Sequence, residues 1–189
     1  MIDIEKILTE RGAILKGHFL LTSGLHSDTY FEKFRILEDP GLTETLISTV
    51  THKLKSLNPD IVIGPTIGGV AVAFEVARQL KVKAYYAERG NGGRVLRRGF
   101  KLGPENRVLV VDDVLTTGKS LIETMEVVKK HGATIVGAFV FIDRSESFDP
   151  GVPLISLLKV RVKNYKPEEC PLCKRGIPLV KPGSGKPTR

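Results

Sequence analysis

From residue 60 onward, short apolar runs alternate with segments of helical period. "DIVIG" (60 to 64) is an apolar run of strand length, and "GVAVAFEVARQL" (69 to 80) sets Val72, Val76 and Leu80 on one face of a helix. "VKAYYA" (82 to 87) predicts a strand, "RVLVV" (107 to 111) a buried strand, "KSLIETMEVVKK" (119 to 130) a helix and "ATIVGAFVFI" (133 to 142) a further strand. In the second helix Leu121, Met125 and Val128 share a side, Glu126 and Lys130 stand four apart as an ion pair, and Gly132 supplies a stop. Strands alternating with helices specify a parallel sheet covered on its faces, an α/β fold.

Three stretches leave that alternation. Residues 1 to 35 predict a helix and then a strand pair, "GHFLLTSG" and "DTYFEKF". Residues 88 to 103, "ERGNGGRVLRRGFKLG", contain an Asn91-Gly92 step among further glycines, which predicts an exposed, mobile hairpin. From about residue 152 the pattern gives a strand or two and then "KPGSGKPTR", a Pro/Gly/Lys tail expected to be disordered over residues 184 to 189. No internal repeat is visible.

The chain has 189 residues, 41% of them hydrophobic, which suits one substantial core, so a single domain over residues 1 to 183 with peripheral additions is the expectation and two small domains the alternative. A formal net charge of +8 favours anionic partners, whether phosphorylated metabolites, nucleic acid or an acidic surface. With no Trp, 8 Phe and 4 Tyr, the dense aromatic and basic interleaving of a single-strand binder is missing. The N-terminus "MIDIEKILTERG" is charged from its third residue, so no secretory signal is read there, and no apolar stretch approaches the ~20 residues of a membrane-spanning helix. A cytoplasmic protein without membrane partners is expected. The two cysteines, Cys170 and Cys173, provide no disulfide framework.

The chemistry concentrates in "VLVVDDVLTTGKS", residues 108 to 120. Ligands of an open parallel sheet sit beyond the carboxyl ends of its strands, where Asp112 and Asp113 fall. The following turn opens a helix whose free N–H groups and dipole favour a phosphate. Thr116, Thr117 and Ser120 add hydroxyls, Gly118 permits close backbone approach and Lys119 adds charge. A Walker A loop is excluded, because Asp113 stands where that motif needs glycine. A carboxylate pair beside a monophosphate cradle suits the vicinal hydroxyls of a ribose, or a magnesium ion reached through water. The simpler alternative is that both acids satisfy turn amides and Thr117 caps the helix.

A second strand end carries "GPTIGGVAVA" (64 to 73), where Gly64, Gly68 and Gly69 permit a tight loop whose amides face a pyrophosphate, or serve only packing. No Cys-His or Ser-His-Asp spacing suggests a covalent nucleophile. His18, His26, His52 and His131 form no ligand pattern and read as surface or satisfied core residues.

"VLVVDDVLTTGKS" resembles the phosphoribosyl pyrophosphate (PRPP) signature of type I phosphoribosyltransferases. "FLLTSGLHSDTYFEK" (19 to 33) is similar to the base-binding hood segment of orotate phosphoribosyltransferases, and "FIDRSE" (141 to 146) to that family's strand end. The resemblance runs from about residue 6 to 183 and includes "CPLCKRGIPLVKPGS", as in the shorter members.

The resemblance implies the type I fold, a hood built mainly from residues 1 to 35 and 152 to 183, and a mobile loop at 88 to 103. It also implies transfer of the phosphoribosyl group of PRPP to orotate, giving orotidine 5'-monophosphate and pyrophosphate in pyrimidine biosynthesis. Asp112 and Asp113 then bind the ribose hydroxyls, and Val114, Leu115, Thr116, Thr117, Gly118, Lys119 and Ser120 hold the 5-phosphate. Thr66, Ile67, Gly68 and Arg89 meet the pyrophosphate, with Arg89 counted beside the two acids as catalytic. Thr116 and Arg144 face orotate, Arg144 gripping its carboxylate, while Tyr30 and Phe31 close over the ring. Magnesium enters through PRPP and water with no direct protein ligand, and a homodimer shares each mobile loop with the opposite site.

Departures from the family pattern fall on the cations. Residues 88 to 100 contain neither Lys nor His, leaving Arg89, Arg94, Arg97 and Arg98, of which Arg89 best matches the loop arginine and the others read as weaker candidates on a solvated face. Ile67 and Gly68 stand where some members have a lysine, as does Thr22. The lone CxxC reads as a structural or unoccupied pair rather than a zinc or redox site, since one pair cannot complete a tetrahedral zinc site unless a second subunit or a histidine contributes. A purine phosphoribosyltransferase and a PRPP-sensing regulator that binds nucleic acid are the competing functions; no helix-turn-helix or RNA-binding motif supports the latter.

Overall fold

The computed structural model describes residues 3–21 and 23–182. Thr22 and the expected disordered tail, residues 184 to 189, lie outside the described residues. The chain divides into two compact units, Ile36–Val160 and a discontinuous one made of Met1–Arg35 and Arg161–Arg189.

The larger unit is a six-stranded sheet in the order β5-β4-β3-β6-β7-β8. Its strands are β3 (Ile61–Pro65), β4 (Lys83–Gly90), β5 (Gly93–Leu96), β6 (Arg107–Leu115), β7 (Thr134–Asp143) and β8 (Leu154–Lys159), all pairing in parallel except the β4–β5 hairpin. The helices α5 (Gly68–Leu80) and α6 (Lys119–Lys130) match the periodic segments read from the sequence. Their apolar faces pack on the sheet, and Leu121, Met125 and Val128 join Val108, Val110 and Val140 in one core. Each runs until a left-handed residue stops it, Lys81 (φ 59) after α5 and Gly132 (φ 76) after α6.

The strand order explains where a site can form. After β3 the chain crosses through α5 to β4 on one side; after β6 it crosses through α6 to β7 on the other. The carboxyl ends of β3 and β6 therefore flank the point where the winding reverses, and a crevice opens there.

Several expectations are revised. β6 does not stop at Val111, because its ladder to β7 continues through Asp112↔Val140, Val114↔Ile142 and Leu115↔Asp143. Glu126 pairs with Lys129 at 3.0 Å, one residue short of the expected Lys130. The Asn91-Gly92 hairpin is present with an exposed tip, but Arg94 on its returning strand is buried rather than solvated. Residues 34 to 56 hold helices unread in the sequence pattern, α2 (Phe34–Leu37), α3 (Pro40–Ser48) and α4 (Thr51–Ser56). The second of them starts with Pro40 and with the Asp39 side chain accepting the Leu42 N–H.

In the smaller unit, α1 (Ile4–Glu10) is capped by Asp3, and β1 (Ile14–Leu20) pairs antiparallel with β2 (His26–Phe31). The strand β9 (Asn164–Tyr165) adds to the far edge of β2, and Val180 bridges to Phe19 beside β1. Between β9 and Val180 lies a four-residue helix, α7 (Pro171–Lys174).

Candidate active site

A cavity of about 390 Å³ opens at the carboxyl end of β6. Arg89 and Arg94 of the hairpin, Asp112, and the continuous run from Val114 to Ser120 line it, with Glu123 one turn into α6. The structure thus brings together Arg89, Asp112 and the whole expected phosphate loop. Thr66, Ile67, Gly68, Asp113 and Arg144 do not line this cavity.

The adjacent acids have separate surroundings because side chains on a strand alternate between faces. Asp112 shares the parity of Val108 and Val110 and faces the α6 side, where the cavity lies. Asp113 points to the other side, toward the start of α5. Its Oδ2 lies so close to Gly68 that a Cβ there would fall 1.7 Å away. Each carboxylate also accepts the next backbone N–H, Asp112 Oδ1 that of Asp113 at 2.8 Å and Asp113 Oδ1 that of Val114 at 2.6 Å. The amide-satisfying role considered from sequence is therefore real, and it coexists with exposure of Asp112 to the cavity.

The loop Thr116 to Lys119 turns into α6 through Gly118 in the left-handed region, φ 77. A side chain at that position would also run into the Phe148 ring, 1.9 Å from an added Cβ. Thr117 Oγ1 accepts the Lys119 N–H, and Lys119 itself is exposed, its ammonium 3.9 Å from Glu123. The result is a ring of helix-start amides, hydroxyls and one lysine around an open cavity, an environment suited to a phosphate.

Arg94 is the residue that sequence reasoning undervalued. Its guanidinium donates to Ser120 Oγ at 2.7 Å and to the Ala87 and Thr66 carbonyls at 3.2 and 3.4 Å, with Glu123 3.7 Å away. It therefore fastens the glycine loop after β3 to the first turn of α6. Burial pushes its pKa below the ordinary value, and the charges of Asp112 and Glu123 offset only part of that. The available signal was its place in the hairpin register, directly across from Arg89.

The glycine loop holds its own close contacts. A Cβ on Gly64 would lie 2.0 Å from the Gly69 carbonyl oxygen, so strand and helix approach too closely for any side chain. Ile67 is 79% exposed and the Thr66–Ile67 peptide is cis. Arg144 follows β7, half-buried, and its backbone N–H donates to the Leu115 carbonyl at 2.8 Å, which sets it beside the end of β6. Tyr30 and Phe31 belong to β2 of the smaller unit, where Tyr30 packs against Phe19 at 5.7 Å between ring centroids.

A parallel sheet whose central strand ends in acids and runs into a Thr/Gly phosphate loop at the reversal of winding is the site of a phosphoribosyltransferase, and the phosphoribosyl transferase domain family matches residues 41–152. Curated relatives extend the likeness to nearly the whole chain. It is 47% identical to the orotate phosphoribosyltransferase of Carboxydothermus hydrogenoformans over 98% of both chains, and 46% identical to that of Thermotoga maritima over 96% and 97%. Among solved structures, the orotate phosphoribosyltransferase of Aeropyrum pernix superposes with a TM-score of 0.72 at 31% identity, covering 82% of this chain and 92% of the other. The chain belongs to the orotate phosphoribosyltransferase family.

Proposed function

We propose that this enzyme transfers the phosphoribosyl group of PRPP to orotate, and that the cavity beside β6 is where PRPP is held. The observation that carries the reading is the assembly of Asp112, the Thr116 to Ser120 cradle and two arginines around one opening at the switch point of the sheet. In this assignment the amides and hydroxyls of the loop take the 5-phosphate. Asp112 accepts hydrogen bonds from the ribose hydroxyls, and Asp113 fixes the glycine loop from beneath through its contact with Gly68. Arg89 is exposed on the cavity wall and meets the pyrophosphate, while Arg94 positions the two loops.

The reaction breaks the bond from the anomeric carbon to pyrophosphate and forms one to the pyrimidine nitrogen. Its charge development is oxocarbenium-like on the sugar and anionic on the leaving group. The protein's contributions are alignment, exclusion of water and cations already in place. Arg144 supplies a planar fork for the orotate carboxylate, with Thr116 beside it, and the resemblance assigns Tyr30 and Phe31 to the base.

The donor set fits magnesium. Two lining carboxylates, Asp112 and Glu123, and several hydroxyls form no closed protein cage, and this ion is held largely by water and substrate phosphate oxygens with one or two carboxylates. Bound there with Asp112 in reach, it supplies neutralisation of the departing pyrophosphate.

A homodimer completes the proposal. An apolar groove of about 820 Å³ runs along α3 and α5, lined by Leu37, Pro40, Val70, Ala71 and Phe74 among others, with Phe74 66% exposed. A second copy covering it would also bear on Ile67 at the glycine loop, which couples assembly to the pyrophosphate side of the site. Sharing of the 88 to 103 loop between subunits and a cytoplasmic location belong to the same proposal; among the described residues no helix is long and apolar enough to cross a membrane.

Purified protein given PRPP, magnesium and orotate should consume orotate and release pyrophosphate stoichiometrically. Turnover of adenine or hypoxanthine in place of orotate would reassign the base. Absence of turnover, with PRPP bound and nucleic acid held with sequence preference across a salt series, would favour the regulator.

A further inference from the structure

The smaller unit carries a cluster that plays no part in the chemistry above. His18, His26, Cys170 and Cys173 present one ligand atom each, all within 4.8 Å of one another. His18 Nε2 lies 3.0 Å from His26 Nδ1, 3.5 Å from Cys170 Sγ and 3.7 Å from Cys173 Sγ, and Cys173 Sγ lies 3.3 Å from His26 Nδ1. The two histidines, expected from sequence to form no ligand pattern, thus meet the CxxC. We propose that these four side chains form a structural zinc site.

The spacing is what zinc requires. Bonds of about 2.3 Å to sulfur and about 2.05 Å to nitrogen at tetrahedral angles separate ligand atoms by about 3.3 Å (N to N) and about 3.6 Å (N to S). The four separations given above lie within a few tenths of an ångström of those edges, and every other pair of ligand atoms lies within 4.8 Å. Two thiolates and two imidazoles form a donor set selective for zinc over magnesium or calcium, and four protein ligands leave no open position for catalysis.

Local structure aims each ligand. The β1–β2 register slips between Lys16 and Phe19, so β1 carries one extra residue and His18 sits in the resulting bulge, which redirects a side chain. His18 Nδ1 is 2.7 Å from the Ile177 carbonyl, which only accepts; Nδ1 therefore bears the proton and Nε2 offers its lone pair to the cluster. Cys170 precedes α7 and Cys173 lies in it, so the short helix turns both sulfurs to one side.

The site also has a physical purpose. The smaller unit is discontinuous, its two segments total 64 residues, below the ~70–80 at which one apolar core suffices, and small units of this kind use a metal or disulfide staple. Cys170 and His18 are 152 positions apart in the chain, so the ion would clip the N-terminal hairpin to the C-terminal segment.

The test uses the full-length chain purified without chelator. Elemental analysis is expected to give one zinc per chain. Cobalt(II) exchanged into the site should show tetrahedral d–d bands and a thiolate-to-cobalt charge-transfer band, and C173S should weaken metal affinity at least tenfold. Removing zinc from the wild type with a chelator should lower its melting temperature, with recovery on adding zinc alone. Zinc well below one equivalent after reconstitution, cobalt spectra lacking the thiolate band, or unchanged affinity in C173S would each overturn the proposal. The spectra are read on the wild type, so a variant that misfolds does not blunt the test.

Discussion

Substituting Gly68→Ala probes the link between the second acid and the glycine loop. The added Cβ would stand 1.7 Å from Asp113 Oδ2 and 2.7 Å from its Cγ, whereas carbon and oxygen pack no closer than about 3.2 Å. The carboxylate or the start of α5 must therefore shift by about 1.5 Å. Overpacking of this kind costs about 1–3 kcal/mol, which lowers the melting temperature by about 2–12 °C for a domain of this size. A misplacement of about 1 Å near reacting groups costs about 100-fold in rate, so kcat/KM for PRPP should fall by that order. The assay is PRPP-dependent loss of orotate absorbance, alongside thermal melts of Gly68→Ala, Asp113→Ala and the double variant. In the double variant the obstacle is gone, so the two stability losses should be less than additive. Wild-type kinetics and stability in Gly68→Ala, or simple additivity, would refute the contact as a determinant of loop position.

Other outcomes follow from single contacts. Asp112→Asn keeps the shape and the bond from the Asp113 N–H but loses the charge, so melts should stay near wild type while kcat/KM for PRPP falls about 10- to 150-fold, the worth of one hydrogen bond to a charged group. If the proposed homodimer covers the groove along α3 and α5, Phe74→Glu should give monomers by light scattering and reduce activity, since a charge cannot be buried unpaired there. Burial pushes the Asp143 carboxyl up, but the Ser145 hydroxyl at 2.5 Å, the Ser145 N–H and Lys159 outweigh it and hold the pKa below its ordinary value. With the folded value depressed, this stabilisation is present above about pH 4, the unfolded value, and fades as pH falls toward the folded one. Melting temperature measured from pH 6 downward should drop less steeply in Asp143→Asn than in wild type.

The central fold was legible because burial and periodicity coincide there. β3, α5, α6 and β7 are continuous apolar runs or amphipathic helices, and their boundaries lie within a residue or two of the sequence pattern. β6 was read short because Asp112 and Asp113 interrupt the apolar run, whereas the ladder to β7 depends on backbone groups indifferent to side chain. The helices at 40 to 56 are 9 and 6 residues long, too short for periodicity to declare itself. The cradle from Val114 to Ser120 was read as one unit because its residues are contiguous. Arg94 was not, because charge suggests solvent, and only the β4–β5 register turns it inward beside Ser120. For the same reason no spacing rule could join His18 and His26 to Cys170 and Cys173. A hairpin bulge and a C-terminal strand bring them together across most of the chain.

The most direct measurement is a crystal structure with PRPP, magnesium and orotate bound. The 5-phosphate should lie within hydrogen-bond distance of the Thr116 to Ser120 amides, with the ribose hydroxyls on Asp112. PRPP seated elsewhere, or an Asp112 carboxylate without contact to the ribose or its metal, would contradict the assignment of this cavity.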